Sequence, residues 1–384
     1  MDLLQQRLQE VAEFFQNNDT VLGYRRLMDS AMDTQDMGVY AEVIALTDWR
    51  ENNLNNHDEF ISKCIMVLEK IAAIPINVCD TSTPLIDASA LTKAYGSSGF
   101  IVGPVTLAIK KGNVYGLVGE NGNGKTTLLR ILAQELDYSR GTINYGFNPP
   151  VSNSFELKTK LVYIPQRTAT WYGSLKDNLK FVLANYGIDP EENETRVLMM
   201  IARLGLWNYK HLKWSELSSG YKMRFELART LLRQPELLLL DEPLANLDVL
   251  AQQVILEDLK SICNSINNPI ALILSSQQLY EIEKISDKVI YLKNGKYGEN
   301  NSTTGLQEPL QLIVELDCDC DRSKLLEIFK DLPLEKLVFN GGVFLAYFKE
   351  GTPFYGVLEL LGSHKIKVTY TRDISASTRR FFVS

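Results

Sequence analysis

The fold of this chain is decided by the stretch Gly119-Glu120-Asn121-Gly122-Asn123-Gly124-Lys125-Thr126-Thr127. It matches a glycine, four residues and Gly-Lys-Ser/Thr, which is the pattern of a phosphate-binding P-loop. Residues 113–118 before it predict a strand and residues 127–133 after it predict a helix, as the motif requires. Its glycines let the backbone curl so that successive N–H groups point at phosphate oxygens. We therefore expect Lys125 to reach the β- and γ-phosphates of a nucleotide and Thr126 to bind Mg²⁺.

The composition is that of a soluble globular protein, and 384 residues are enough for two or three domains. The net charge of -7 gives no basic footprint for nucleic acid, so we expect no nucleic-acid partner. The longest apolar runs are far shorter than the ~20 residues of a membrane-spanning helix, and the polar N-terminus lacks a secretion signal. We expect a cytoplasmic protein, and work at a membrane would require another chain that crosses it.

The five cysteines are scattered along the chain, and their odd number predicts reduced thiols in a cytosolic protein. The segment Cys318-Asp319-Cys320 resembles half of a metal site. No second pair of cysteines or histidines accompanies it, so we favour the interpretation without a metal there.

Residues 1–80 predict a domain made only of helices. Apolar residues recur at helical spacing in four segments, beginning with Leu4, Leu8, Val11 and Phe15, and Pro75 ends the last segment. Four short helices can form a small bundle or two hairpins. Their apolar stripes are better explained as a shared core than as a binding site.

Residues 84–300 carry the P-loop and two further features of an α/β protein. The run Leu237–Leu240, bounded by Pro235, predicts a strand buried on both faces, as in a parallel sheet. Asp241 and Glu242 follow at its carboxyl end, where ligands bind in open α/β sheets. Residues 175–206 predict a helical insertion.

Residues 306–384 predict a separate α+β domain after a linker at 296–309. Strands and helices alternate in the order βαββαβ, which is the order of a ferredoxin-like domain. Such domains usually mediate interaction or regulation, so we assign no catalysis to this one.

The P-loop, Gln166, residues 217–221 and Asp241-Glu242 occur in the order and at the spacing found in ATP-binding cassette (ABC) ATPases. The resemblance covers residues 84–300 and implies a mixed-sheet core with a helical subdomain at about 167–233. Residues 171–179 and the additional C-terminal domain resemble exporter-type cassettes whose membrane subunits are separate chains. The N-terminal helices are not part of that family pattern.

The resemblance implies a role for each matching residue. Asp241 would hold Mg²⁺ through water, Gln166 would join the Mg²⁺ shell, and Glu242 would act as the general base toward the attacking water. Tyr95 would stack on adenine, although it can also be explained as a tyrosine on a strand surface. Lys125 would assist catalysis at the γ-phosphate. The predicted nucleotide contacts are Tyr95, Gly119, Asn121, Gly122, Gly124, Lys125, Thr126, Thr127, Ser218, Gly220 and Asp248.

Three positions depart from the family pattern. Ser219 replaces a glycine and Tyr221 replaces a glutamine in the signature motif, which bears on affinity for a nucleotide held by a second copy. Gln277 replaces the switch histidine, with Gln278 as the alternative alignment. A glutamine amide can donate a hydrogen bond but cannot carry positive charge or relay a proton. We therefore expect hydrolysis that is retained but slow.

A single cassette of this kind cannot form a complete site. Ser218 and Gly220 would contact ATP bound to the opposing subunit, and residues 245–248 would link the two sites, so two copies must close head-to-tail around ATP and Mg²⁺. The predicted function is ATP hydrolysis that drives an exporter, on the inner face of the cytoplasmic membrane, through separate transmembrane permease subunits. One alternative is a soluble ABC ATPase that acts as an assembly factor, and another is a regulatory module with negligible turnover.

Overall fold

The structure is a computed structural model that describes residues 3–96, 99–277, 279–300, 311–340, 342–375 and 377. The chain divides into two compact units, and each is described separately. One contains the residues up to Ser286 together with Leu292–Gly298, and the other contains Asp287–Tyr291 and the residues from Glu299 onward. Within the described residues, no helix combines the length and the apolar character needed to cross a membrane. The domain boundaries predicted from the sequence remain predictions.

The four predicted N-terminal helices are present: α1 (Leu3–Gln16), α2 (Thr20–Thr34), α3 (Met37–Asn52) and α4 (His57–Ala72). Asp19 caps α2 by accepting from the N–H of Leu22. The apolar stripes form a shared core that includes Phe15, Leu27 and Phe60.

The next segment alternates strands and helices, because short apolar runs are separated by amphipathic ones. Its elements are β1 (Pro84–Ala94), β2 (Ile101–Lys110), β3 (Val114–Val118), α5 (Lys125–Leu132), β4 (Arg140–Tyr145), α6 (Ser154–Lys160), β5 (Leu161–Ile164), α7 (Leu175–Ala184), α8 (Pro190–Arg203), α9 (Ser219–Leu231), β6 (Leu237–Leu240), α10 (Val249–Cys263), β7 (Ala271–Ser276), α11 (Leu279–Ile285), β8 (Lys288–Lys293) and β9 (Lys296–Asn300).

These strands form two sheets. The antiparallel sheet has the order β2-β1-β4, and the larger sheet has the order β5-β6-β7-β3-β8-β9. Strands β5, β6, β7 and β3 pair in parallel. Every residue of β6 is buried, as the leucine run predicted, and every residue of β7 is buried too. The predicted linker at 296–309 is wrong over residues 296–300, which form β9 because they pair at the edge of this sheet. Residues 301–309 lie outside the described part.

The last segment has the elements β10 (Leu312–Cys318), α12 (Arg322–Ile328), β11 (Leu334–Asn340), β12 (Val343–Phe348), α13 (Phe354–Ser363) and β13 (Val368–Asp373). The sheet order is β11-β12-β10-β13, and all neighbouring strands are antiparallel. This order is that of the predicted ferredoxin-like arrangement. Phe329, Phe348 and Val357 lie in its core, between the sheet and the two helices.

Candidate functional site

The P-loop joins β3 to α5 at the carboxyl end of the parallel strands. Gly124 has a φ of +101°, and a Cβ there would lie 2.5 Å from Val102 Cγ2, so only glycine fits this turn. Helix α5 follows directly at Lys125, and no side chain caps it. Its first N–H groups are thus left for a ligand, and the helix dipole makes an anion favourable there.

A cleft of about 370 Å³ opens beside this turn. That volume lies in the range of small-molecule sites. Many of the predicted residues line it together, and two residues that sequence analysis had not selected, Phe100 and Glu120, complete the lining. The predicted residues in the lining are Tyr95, Asn121, Gly122, Gly124, Lys125, Thr126, Thr127, Gln166 and Glu242.

Lys125 is held by the loop and by one carboxylate. Its Nζ lies 2.6 Å from the carbonyl oxygen of Gly119, 3.3 Å from that of Glu120 and 3.1 Å from Oε1 of Glu242. The side chains of Lys125 and Glu242 are only 5% and 11% exposed. Each charge therefore compensates the other where both side chains are almost buried. An anion that bound to this lysine would compete with Glu242 for it.

Asp241 is buried and accepts three hydrogen bonds. Its Oδ2 accepts from Thr126 Oγ1 at 2.7 Å and from the Tyr163 hydroxyl at 3.2 Å, and its Oδ1 accepts from Ser275 Oγ at 2.7 Å. Burial and the neighbouring carboxylate both raise the pKa of Tyr163, so this hydroxyl keeps its proton and remains a donor. The carboxylate and the Thr126 hydroxyl supply the hard oxygen atoms that suit Mg²⁺. Two of the three residues predicted to hold the metal, Asp241 and Thr126, thus fit that role chemically.

Ser275 is the main site residue that sequence analysis missed. Its hydroxyl donates to Asp241 and accepts from the N–H of Glu242 at 2.8 Å, so one buried side chain fixes both acidic residues. Glu242 has a φ of +50°, an uncommon conformation for a residue other than glycine, which this hydrogen bond helps to hold. The parallel register of β6 and β7 pairs Leu240 with Leu274 and so brings Asp241 beside Ser275. No pattern among neighbouring residues in the sequence marks this pairing.

Tyr95, directly after β1, is part of the lining of the cleft. Its hydroxyl is hydrogen-bonded to Thr127 Oγ1 at 3.1 Å, and Lys93 Nζ lies 5.7 Å from the ring centroid. The half-buried ring lines the cleft, and its stacking on adenine stays a prediction.

Gln166 and Gln277 are placed differently. Gln166 follows β5, is exposed and lines the cleft. Gln277 follows Ser276 at the end of β7, is also exposed and does not line the cleft. Gln278 lies outside the described residues.

The signature residues lie away from this cleft. Ser218 caps α9, and Asp248 caps α10 by accepting from the N–H of Ala251 at 2.9 Å. Neither these two residues nor Gly220 is part of the lining. The replacement residue Tyr221 packs its ring against Tyr209, with centroids 3.8 Å apart, which explains how a large side chain is accommodated in the motif.

Comparisons with known proteins identify relatives of this chain. The family model described as ABC transporter matches residues 102–245. The bacitracin transport ATP-binding protein BcrA of Enterococcus faecalis is 30% identical over 247 residues, which are 63% of this chain and 78% of that protein. The methionine import ATP-binding protein MetN 2 of Oceanobacillus iheyensis is 28% identical over 254 residues, 62% of this chain and 74% of that protein.

A solved structure supports the fold. Subunit cbiO1 from Clostridium perfringens, described as part of the ABC transporter complex cbiONQ, matches with a TM-score of 0.52 and 24% identity. The match covers 57% of this chain and 89% of that one. With the P-loop, the acidic pair and the signature segment in the places described above, the chain belongs to the family of ABC transporter ATP-binding proteins.

Proposed function

We propose that this chain binds and hydrolyses ATP as the nucleotide-binding subunit of an exporter. The observation that carries the proposal is the cleft that brings Lys125, Thr126 and Glu242 together. Asp241 lies next to them and accepts a hydrogen bond from Thr126. The reaction is ATP and water to ADP and phosphate.

Each of these residues has a separate role in the proposed reaction. Lys125 binds the γ-phosphate in place of its contact with Glu242. Glu242, once released from the lysine, accepts a hydrogen bond from the attacking water and orients it toward the phosphorus. Thr126, Asp241 and Gln166 would hold Mg²⁺, which neutralises phosphate charge when it is bound.

A second copy completes the site. Ser218, Gly220 and Asp248 lie outside the cleft of their own chain, which fits a role toward nucleotide held by the partner copy. Two copies would close head-to-tail when ATP is bound and open after hydrolysis, a two-state clamp controlled by the γ-phosphate.

The direction of transport is proposed from the resemblance of residues 171–179 and the C-terminal domain to exporter-type cassettes. A relative named for bacitracin transport is compatible with that direction, whereas another is named for methionine import. The clamp would act on separate permease subunits at the inner face of the cytoplasmic membrane.

The proposal is tested with purified protein and with membranes. Because each complete site needs two copies, ATPase activity per molecule should rise with protein concentration until the dimer is saturated. Affinity purification from membranes should recover a protein with several membrane spans. ATP hydrolysis by a monomer that stays monomeric would contradict the composite site, and a partner that is soluble would favour the assembly-factor function over transport.

Replacing Gln277 with histidine is expected to raise kcat about tenfold, because a histidine can carry charge and relay a proton at a position where glutamine cannot. Steady-state phosphate release measures the change. The matched control is Gln277→Asn, which keeps an amide and should give no increase. A kcat for Gln277→His at or below the wild-type value would contradict the role of this position in setting the rate.

A further inference from the structure

The guanidinium of Arg203 is fully buried at the last residue of α8. It makes a two-point contact with the Asp29 carboxylate, in which Nε donates to Oδ1 and Nη2 donates to Oδ2 at 3.1 Å. Its Nη1 donates to Asp258 Oδ1 at 2.6 Å. One buried cation is thus shared by two carboxylates. Such a cluster is stable only while all its members keep their places, because an unpaired buried charge is costly.

The three groups come from three parts of the chain. Asp29 lies on α2 of the N-terminal helices, Arg203 ends α8 of the helical insertion, and Asp258 lies on α10, which follows the acidic pair. Arg25 of α2 also donates to Asp258, at 2.6 Å. Burial would raise the pKa of Asp258, but the two guanidinium groups outweigh burial and hold this pKa below its usual value. The carboxylate therefore stays charged in the resting cluster.

The end of α8 is also joined to the helix that carries the signature. The carbonyl of Leu204 accepts from Nη1 of Arg224, which lies on α9, at 3.1 Å. At the start of α9, Ser219 Oγ donates to the carbonyl of Asn246 at 2.9 Å, and Asp248, two residues later, caps α10. These contacts therefore connect three helices to one another. Arg224 links α9 to the end of α8, Ser219 links α9 to the segment before α10, and Arg203 links α8 to α10.

We infer that Arg203 is a positioning residue for ATP hydrolysis, which holds the signature helix α9 in register with the 245–248 loop, and that the N-terminal helices hold Arg203 through Asp29. This inference rests on the proposed function, because the signature acts only on nucleotide bound by a second copy. It gives the N-terminal helices, which the family pattern does not include, a specific task. Through the contact between Asp29 and Arg203, they fix the end of α8 in its position next to α10.

A second ion pair of the N-terminal helices provides a matched control. Asp33 accepts from Arg7 Nη1 at 2.9 Å, and it also accepts from the Ser265 hydroxyl and the N–H of Ile266. Ser265 and Ile266 lie in the segment that follows α10. Among the described residues, neither Arg7 nor Asp33 forms a hydrogen bond or ion pair with α8 or α9. Arg7→Gln therefore weakens the docking of the N-terminal helices without releasing Arg203.

The experiment compares Arg203→Gln, Asp29→Asn and Arg7→Gln with the wild-type protein. We expect kcat to fall about fivefold to tenfold in the first two variants and to stay at the wild-type value in the third. The Kd of ATP, measured with dilute monomeric protein, should be the same in all four proteins, since none of the changed residues lines the nucleotide cleft. Asp29→Asn keeps the shape of a half-buried side chain, so it remains informative if Arg203→Gln does not fold.

The outcomes separate this inference from the proposed function. A wild-type protein without ATPase activity would refute the proposed function, whatever the variants do. With an active wild type, unchanged kcat in both Arg203→Gln and Asp29→Asn would overturn the positioning role. A loss of kcat confined to Arg203→Gln would overturn the part assigned to the N-terminal helices. An equal loss of kcat in Arg7→Gln would show that any weakening of the contact between these helices and the rest of the chain lowers kcat, and this would overturn the specific role of Arg203.

Discussion

Replacing Glu242 with glutamine is expected to lower kcat for ATP hydrolysis at least about a hundredfold while ATP binding becomes tighter. The loss follows from removing a general base, which typically contributes a factor of about 100 to 10,000. Glutamine keeps the size of the side chain and its hydrogen-bonding capacity but cannot accept a proton. Single-turnover phosphate release, with saturating ATP and Mg²⁺, measures the chemical step directly.

The tighter binding has its own physical cause. The carboxylate of Glu242 lies 3.1 Å from Lys125 Nζ, so we expect it to compete with the γ-phosphate for this cation. A neutral amide competes less, so we expect the Kd of ATP to fall about threefold to tenfold. This change corresponds to the free energy of one modest ion pair. Calorimetric titration of dilute protein measures it.

The matched control for this variant is Glu120→Gln. Glu120 also lines the cleft, but only its main-chain carbonyl contacts Lys125, so both kcat and Kd should remain those of the wild type. Hydrolysis at the wild-type rate in Glu242→Gln would remove this residue from the role of base. A weaker ATP affinity in that variant would contradict the competition between the carboxylate and the phosphate.

The parts of the site that lie in short contiguous motifs could be predicted from the sequence. The P-loop needs a strand before it and a helix after it, and the pattern of apolar residues shows both. The leucine run of β6 likewise indicates a buried strand, so the place of Asp241 and Glu242 at its carboxyl end follows. Each of these inferences uses only neighbouring residues.

The rest depends on residues that are distant in sequence. Strand β7 extends to Ser276 and brings Ser275 next to Asp241, whereas the apolar pattern ends at Leu274. Strand β4 was not predicted, because most of its residues are exposed and no alternation of apolar residues marks it. The Arg203–Asp29 contact joins residues 174 positions apart, and an arginine at the end of an amphipathic helix is usually a surface residue that interacts with the helix dipole. Only the packing of three segments reveals that it is buried.

Replacing Lys125 with methionine is expected to weaken ATP binding at least about a hundredfold, because the γ-phosphate loses its only buried cationic partner among the described residues of the cleft. The change should also lower the melting temperature of the nucleotide-free protein. Glu242 would then be left as an almost buried charge without its ion-pair partner, and breaking such a pair costs a few kcal/mol. For a protein of this size, that corresponds to a shift of roughly 4 to 8 °C.

The double variant Lys125→Met with Glu242→Gln separates the two effects of the lysine. Removing both charges takes away the unpaired carboxylate, so most of the lost melting temperature should return, whereas ATP binding should stay as weak as in Lys125→Met alone. Thermal unfolding followed by circular dichroism, together with ATP titration, measures both quantities for the four members of this double-mutant cycle. If the double variant melts no higher than Lys125→Met, then the pair is not an energetic unit in the empty site. In that case the lysine does not restrain the glutamate before ATP arrives, and the release of Glu242 by the incoming γ-phosphate is no longer a step in the cycle.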